Sequence, residues 1–106
     1  MASIDDFKKL DLRVAEIIRV EPHPNADRLW LVWVRIGAEE RQVIAGIRKF
    51  YTAEELVGKK VVVVANLEPA VIRGIESNGM ILAASTDNEL TLISPEKNIP
   101  TGAVVK

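Results

Sequence analysis

Val61-Val62-Val63-Val64-Ala65 runs into Asn66-Leu67-Glu68-Pro69-Ala70-Val71-Ile72-Arg73-Gly74-Ile75-Glu76-Ser77-Asn78-Gly79-Met80, and Met80 opens a second apolar run that ends at Ala84. Consecutive valines read as a strand buried on both faces or closed into a barrel. The run from Met80 reads as another strand. Between them turn formers are too frequent for either strand to continue, so the spacing predicts a loop. Gly74 and Gly79 allow a positive φ or a close backbone approach. Arg73 carries a permanent planar cation. Asn66, Ser77 and Asn78 bring short groups that donate and accept hydrogen bonds, and Met80 brings a soft apolar arm at the strand mouth. This inventory suits holding something polar and negatively charged against a rigid sheet. A structural loop whose glycines only make turns is the plain alternative.

Upstream, Leu29 to Ile36 reads as a strand with Trp30, Val32, Val34 and Ile36 on the core face. Leu31 and Trp33 beside Arg35 make the other face unusually apolar for a small sheet, which implies a covering segment or a contact surface. Leu12 to Glu21 also alternates: Leu12, Val14, Glu16, Ile18 and Val20 share one parity, Arg13, Ala15, Ile17, Arg19 and Glu21 the other, and mostly apolar residues face inward with an interruption near Glu16-Ile17. A bulge near Glu16-Ile17 accounts for a slip in the parity. Gly37-Ala38-Glu39-Glu40 makes a hairpin connection to a third strand, Arg41 to Gly46. Thr52 to Gly58 is a short helix, with Thr52 and Glu55 as a capping box and Gly58 as its stop. Downstream come a turn at Ser85–Asn88, a short strand from Leu90 to Ile93, a helical turn at Ser94–Lys97 and an edge at Ala103–Val105. At the start, Ser3 caps a short helix whose Ile4, Phe7 and Leu10 would pack it onto the body. Five short strands with one helix between the third and fourth is the layout of the OB-fold, an all-β Greek-key barrel. A small sandwich could use the same strands.

The totals narrow the function. The 106 residues fit a single domain, residues 1–106, with 48% hydrophobic and 27% charged residues. There is no cysteine, which removes disulfides and thiolate chemistry and fits a reducing, cytoplasmic setting. No apolar run approaches the roughly 18 residues of a membrane span, so no membrane association is expected. Asp5, Asp6, Lys8 and Lys9 interrupt any apolar signal core near the start. With a net charge of -1, nucleic-acid binding would have to rest on a local patch and on shape.

Catalytic and metal chemistry find little support. The one histidine, His23, stands between Pro22 and Pro24 and reads as a surface or turn residue with no second ligand beside it. Gly74 and Gly79 lack the Lys-Ser/Thr of a phosphate loop. Ser77 has no base nearby in sequence. The acidic pairs Asp5-Asp6, Glu39-Glu40 and Glu54-Glu55 sit at turns and helix starts, where solvation and capping account for them. A non-catalytic chain without cofactor or metal is expected.

Several segments together resemble the tRNA-binding domain appended to methionyl-tRNA synthetases and its free-standing, structure-specific tRNA-binding relatives. They are Ile4–Phe7, Asp11–Val14, Glu21–Leu29, Arg41–Ile47, Tyr51–Lys59 and, most diagnostic, Asn66–Ala70 with Arg73–Met80. The resemblance implies an OB-fold core with terminal additions, tRNA binding through shape and backbone, homodimerisation, and assistance to a methionyl-tRNA synthetase as an appended domain or a free subunit. By position it implies Asn66, Arg73, Ser77, Asn78 and Met80 as the binding loop. Arg41 and Gln42 lie on the neighbouring strand and Lys49 on a nearby loop. Arg73 and Lys49 would contact phosphates, and Asn66, Ser77 and Asn78 would bond base edges, phosphate or the 2′-hydroxyl. Two positions depart from the resemblance: Trp33 where relatives often carry a polar residue, and Glu68 where lysine is common.

Trp33 with Leu31 on the outer face, together with the acidic balance, supports a different reading. Some relatives in the wider family bind unfolded or secretory polypeptides, which makes a dimeric protein-interaction or chaperone-like module the alternative. An assembly domain that tethers a synthetase to partners would show an exposed apolar patch without need of Arg73.

Overall fold

Antiparallel pairing returns repeatedly to one long strand. The computed structural model describes residues 1–106. That strand is β1 (Leu12–Pro22); it pairs with β2 (Trp30–Ile36) on one edge and β4 (Lys60–Val64) on the other. β3 (Glu39–Ala45) pairs with β2, and β7 (Met80–Ile81) with β4, giving the order β3-β2-β1-β4-β7. β10 (Val104–Val105) pairs with Leu12 and Arg13 at the start of β1. The hairpins β5–β6 (Ala70–Ile72, Ile75–Ser77) and β8–β9 (Ala83–Ser85, Leu90–Leu92) stand off the main sheet. The sheet curls until its two ends meet: Asn78 N donates to the Gln42 carbonyl at 2.9 Å, and Ile44 N donates to Ser77 Oγ at 2.9 Å. The result is the expected all-β, OB-fold-like barrel with short helices.

The valine run explains the layering. Val61 and Val63 join Ala15, Ile17, Val32, Val34 and Val43 inside the barrel. Val62 and Val64 point the other way and pack with Leu12, Leu82 and Val105. β4 is therefore buried on both faces, as its composition implies. α2 (Ala53–Leu56) lies between β3 and β4 and drives Leu56 into the core, while Gly58 N donates to the Ile17 carbonyl at 2.8 Å.

β2 follows its sequence pattern, with Val32 and Val34 in the core and Trp30 and Ile36 packed on it. β1 does not. Ala15 and Ile17 face the core, the register shifts between Ile17 and Arg19, and Val20 then turns inward. The slip lies between Ile17 and Arg19, a residue after Glu16-Ile17, and before it Ala15 and Ile17 line the barrel core while Leu12 and Val14 are buried as well. The cause is that Leu12 is also buried, under Val105 and Leu82, so alternation cannot tell the faces apart.

Two further expectations change. α1 (Ile4–Lys8) has its cap at Ser3, but none of its residues is buried, and Ile4, Phe7 and Leu10 stay exposed. Ser94–Lys97 forms a bend, not a helical turn. So short a segment closes too few helical bonds to offset nucleation.

Both helices start with a full capping box, Ser3 with Asp6 and Thr52 with Glu55. The backbone N–H of Ser3, with help from Lys9 and the Ser3 hydroxyl, holds the Asp6 carboxyl below its ordinary range. The backbone N–H and hydroxyl of Thr52 do the same for Glu55. A depressed carboxylate stabilises the fold above its unfolded pKa, near 4, and that contribution is lost as pH falls through the folded value. Acid unfolding followed by circular dichroism will therefore show less pH dependence below about pH 4 in Glu55→Gln than in the parent.

Candidate nucleic-acid interface

The Asn66–Met80 stretch is not the open loop its turn formers suggest. Ala70 pairs with Ser77, Val71 with Glu76 and Ile72 with Ile75, leaving Arg73-Gly74 as a two-residue turn. Arg73 has φ +53° and Gly74 φ +87°. Two positive φ values mark a type I′ turn, the kind that matches the twist of a tight hairpin. The turn formers are the hairpin's own connection. Arg73 is the only non-glycine residue of the chain in the left-handed region.

The hairpin is tied down on two sides. Towards β3, Gln42 Nε2 donates to the Glu76 carbonyl at 2.9 Å. Towards the β1–β2 connection, His23 Nε2 lies 3.0 Å from the Ile72 carbonyl and Asn25 Nδ2 donates to the Arg73 carbonyl at 3.1 Å. His23 Nδ1 accepts from Asn25 N at 3.0 Å, so the ring's proton sits on Nε2 and is donated to Ile72. His23 is 3% exposed. The expectation of a surface turn histidine is thus corrected: the residue lies in a turn but is buried under a hairpin far along the chain.

The sequence-proposed residues separate into two groups. Ser77 is 4% exposed; its hydroxyl accepts from Ile44 N and donates to the Gly79 carbonyl at 3.2 Å. Asn66 Nδ2 donates to the Lys9 carbonyl at 2.7 Å, and its Oδ1 accepts from Asp11 N at 2.8 Å. Arg41 pairs with Glu39 at 3.1 Å and donates to the Ala65 carbonyl. These three, with Gln42, spend their polar groups inside the chain. Arg73, Asn78, Met80 and Lys49 do not. The side chains of Arg73 and Asn78 make no hydrogen bond within the chain, and Met80 and Lys49 are exposed.

Between the hairpin and the end of β3 lies a cleft of about 360 Å³, with Ile44, Ile47, Leu67, Ile72, Met80 and Ile81 among its lining residues and Glu68 at its side. The cleft's only charged lining residue is Glu68, and the cations of the chain divide into paired and unpaired ones. Ion pairs neutralise Lys9, Arg13, Arg19, Arg35 and Arg41, and Lys60 is held by Asn98. Arg28 and Arg73 line one depression together with Asp27, and neither guanidinium forms an ion pair. The Arg48 guanidinium lies 4.7 Å over the Trp30 ring, and the Lys49 ammonium 5.9 Å from that of Phe50. Arg28 and Arg48 are not among the residues the sequence singles out, because no local pattern shows which cations will lack a carboxylate partner. Trp33 shares a face with Gln42, its cross-strand partner, and the Arg19 guanidinium stacks 3.9 Å over its ring.

A curled antiparallel barrel carrying a held hairpin, an apolar cleft and unpaired arginines is a domain of the OB class built for binding. Residues 12–104 match the family described as a putative tRNA binding domain, and the chain belongs to that family. It is 52% identical over 104 residues to the methionine–tRNA ligase of Thermococcus kodakarensis, a match that takes in 98% of this chain and 14% of the ligase. Among solved structures it is similar to a MetRS related protein from Pyrococcus horikoshii, with TM-score 0.93 and 34% identity, covering 100% of this chain and 98% of that one. It is also similar to the chaperone CsaA of Bacillus anthracis, with TM-score 0.90 and 28% identity over 100% of this chain and 99% of that one.

Proposed function

We propose that this chain binds tRNA at the β5–β6 hairpin and the adjoining cleft, and that it serves a methionyl-tRNA synthetase in cis or in trans by raising the local concentration of tRNA. The observation that carries this reading is the pair of cations at the hairpin turn: Arg28 and Arg73 line one depression and neither forms an ion pair, while Arg48 and Lys49, also without ion pairs, follow the end of β3. They contact phosphates and set the register. Asn78 reaches a base edge or a 2′-hydroxyl, and Met80 with the apolar cleft takes an unstacked base or a sugar face. Ser77, Asn66, Arg41 and Gln42 act one step back, by holding the backbone that presents these groups. The test is fluorescence anisotropy with tRNA at two salt concentrations and duplex DNA of similar length as control. The expected result is tighter binding to tRNA than to DNA, weakening with salt in proportion to a few phosphate contacts. No binding at micromolar concentration by folded protein would sink the reading. If an unfolded peptide bound the cleft instead, the chaperone-like alternative would replace it.

The functional unit is a homodimer in this proposal. The support is the exposed apolar set Ile4, Phe7 and Leu10 on and after α1, with exposed Val104 on β10, at the two ends of the chain that meet at the start of β1. Phe7→Glu should run as a monomer in sedimentation where the parent runs as a dimer, with tRNA affinity reduced. Identical sedimentation of the two proteins would remove this part of the proposal.

A further inference from the structure

We infer that His23 and Asn25 are positioning residues for the tRNA interface: they latch the turn that presents Arg73. The inference rests on the reading of Arg73 as an RNA contact and adds what holds it.

The β5–β6 hairpin has three residue pairs and a two-residue turn. A hairpin of that size is marginal in water without outside contacts. Its turn also places an arginine at φ +53°, in the left-handed region where an L-residue is strained. Something must therefore fix it, and the β1–β2 connection does so at two consecutive carbonyls, Ile72 by the His23 ring and Arg73 by the Asn25 amide. The latch is itself braced. His23 Nδ1 accepts from Asn25 N, so one rigid ring couples the latching loop to the turn. His23 N donates to the Leu29 carbonyl at 3.2 Å, closing the connection on itself. Pro22 and Pro24 flank the histidine, fix φ on either side and add no competing N–H.

The imidazole serves both ends of this site: it offers a donor to a carbonyl of the hairpin, which makes the tie, and an acceptor to an N–H of its own loop, which only braces it. The gain for binding is preorganisation: the backbone carrying the Arg73 side chain is set beside Arg28 before RNA arrives. Arg28 lies on the latching loop's far end, so the same loop that holds one cation carries the other.

The two halves of the ring's role can be separated by substitution. His23→Gln keeps a donor at the position of Nε2 and so keeps the tie to Ile72. His23→Asn keeps an acceptor at the position of Nδ1 and so keeps the loop but loses the hairpin tie. In the full chain, hydrogen exchange of the amides of residues 70–77 and tRNA anisotropy are measured for both. His23→Asn is expected to speed hairpin exchange and weaken tRNA binding by about tenfold, the worth of one buried hydrogen bond, while His23→Gln stays within about twofold of the parent in both. Asn25→Ala, which keeps the ring, is expected to lose about threefold in affinity with little change in melting temperature. In an Arg73→Ala background, His23→Asn should cost no further affinity.

The inference is overturned if His23→Asn loosens the hairpin without weakening tRNA binding, or if His23→Gln loses as much affinity as His23→Asn. Unchanged affinity in Arg73→Ala alone would overturn the reading of the site, and the RNA role of the latch with it. The exchange data, taken without RNA, separate that failure from an absent latch.

Discussion

Gly79→Ala lowers stability by about 3 kcal/mol and the thermal midpoint by about 15 °C, the largest effect expected of any single methyl group in this chain. Gly79 has φ +134°, a conformation that side-chain-bearing residues rarely adopt. A Cβ there would lie 3.1 Å from the Val64 carbonyl oxygen, 3.2 Å from Val63 Cγ1 and 3.4 Å from Val43 Cγ1. None of these can move aside cheaply. Val64 is paired with Met80 and Leu12, and Val63 and Val43 are fully buried in the barrel. Gly79 sits where the sheet's two ends meet, and its carbonyl accepts from the Ser77 hydroxyl that also receives Ile44 N. Strain there opens the barrel at its closure. Gly37→Ala is the control: its φ is +62°, but no atom lies within 4 Å of the added carbon, so only the left-handed penalty of about 1 kcal/mol remains. Thermal and urea unfolding of the two variants measure the difference. Equal destabilisation would mean that the contacts with Val64, Val63 and Val43 contribute nothing.

The same closure explains what could be read from the sequence and what could not. β2 and α2 were legible because one period or one capping box decides each locally, and no distant segment alters it. β4 was legible because its valines demand cover on both sides. β1 misled because that cover, supplied by β10 and Leu82, makes both of its faces apolar. At the proposed site, Arg73, Asn78 and Met80 stood out by residue type, and the structure leaves the Arg73 and Asn78 side chains without hydrogen bonds in the chain and Met80 exposed. The roles of Ser77, Asn66 and Arg41 could not. Each looks like a surface polar group until the fold brings Ile44, Lys9 or Ala65 to it. His23 is the extreme case. Its burial depends on Ile72, and no local pattern encodes a contact across that much chain. Arg28 and Arg48 went unread for the converse reason. What puts them in the proposal is the lack of a carboxylate partner, and that becomes visible only when the other cations are seen to be paired.

Reversing charge at the hairpin separates a site from a general field. Arg28→Glu with Arg73→Glu is expected to weaken tRNA binding about a hundredfold, because two phosphate contacts are lost and two repulsions added. The slope of log affinity against log salt should fall by close to two contacts' worth. Stability should hardly change, since neither guanidinium has an ion-pair partner and the turn at Arg73 is held through its carbonyl. The matched control is Lys59→Glu with Lys97→Glu. Those lysines line a different depression, with Thr91, Ser94 and Asn98, and the double reversal changes the net charge by the same amount. A field effect would weaken both variants alike; at this net charge, such an effect is a poor source of affinity to begin with. A site at the hairpin weakens only the first. Equal losses in the two double variants would remove Arg73 from its proposed role, whereas a loss confined to Arg28 and Arg73 would fix where the phosphate backbone lies.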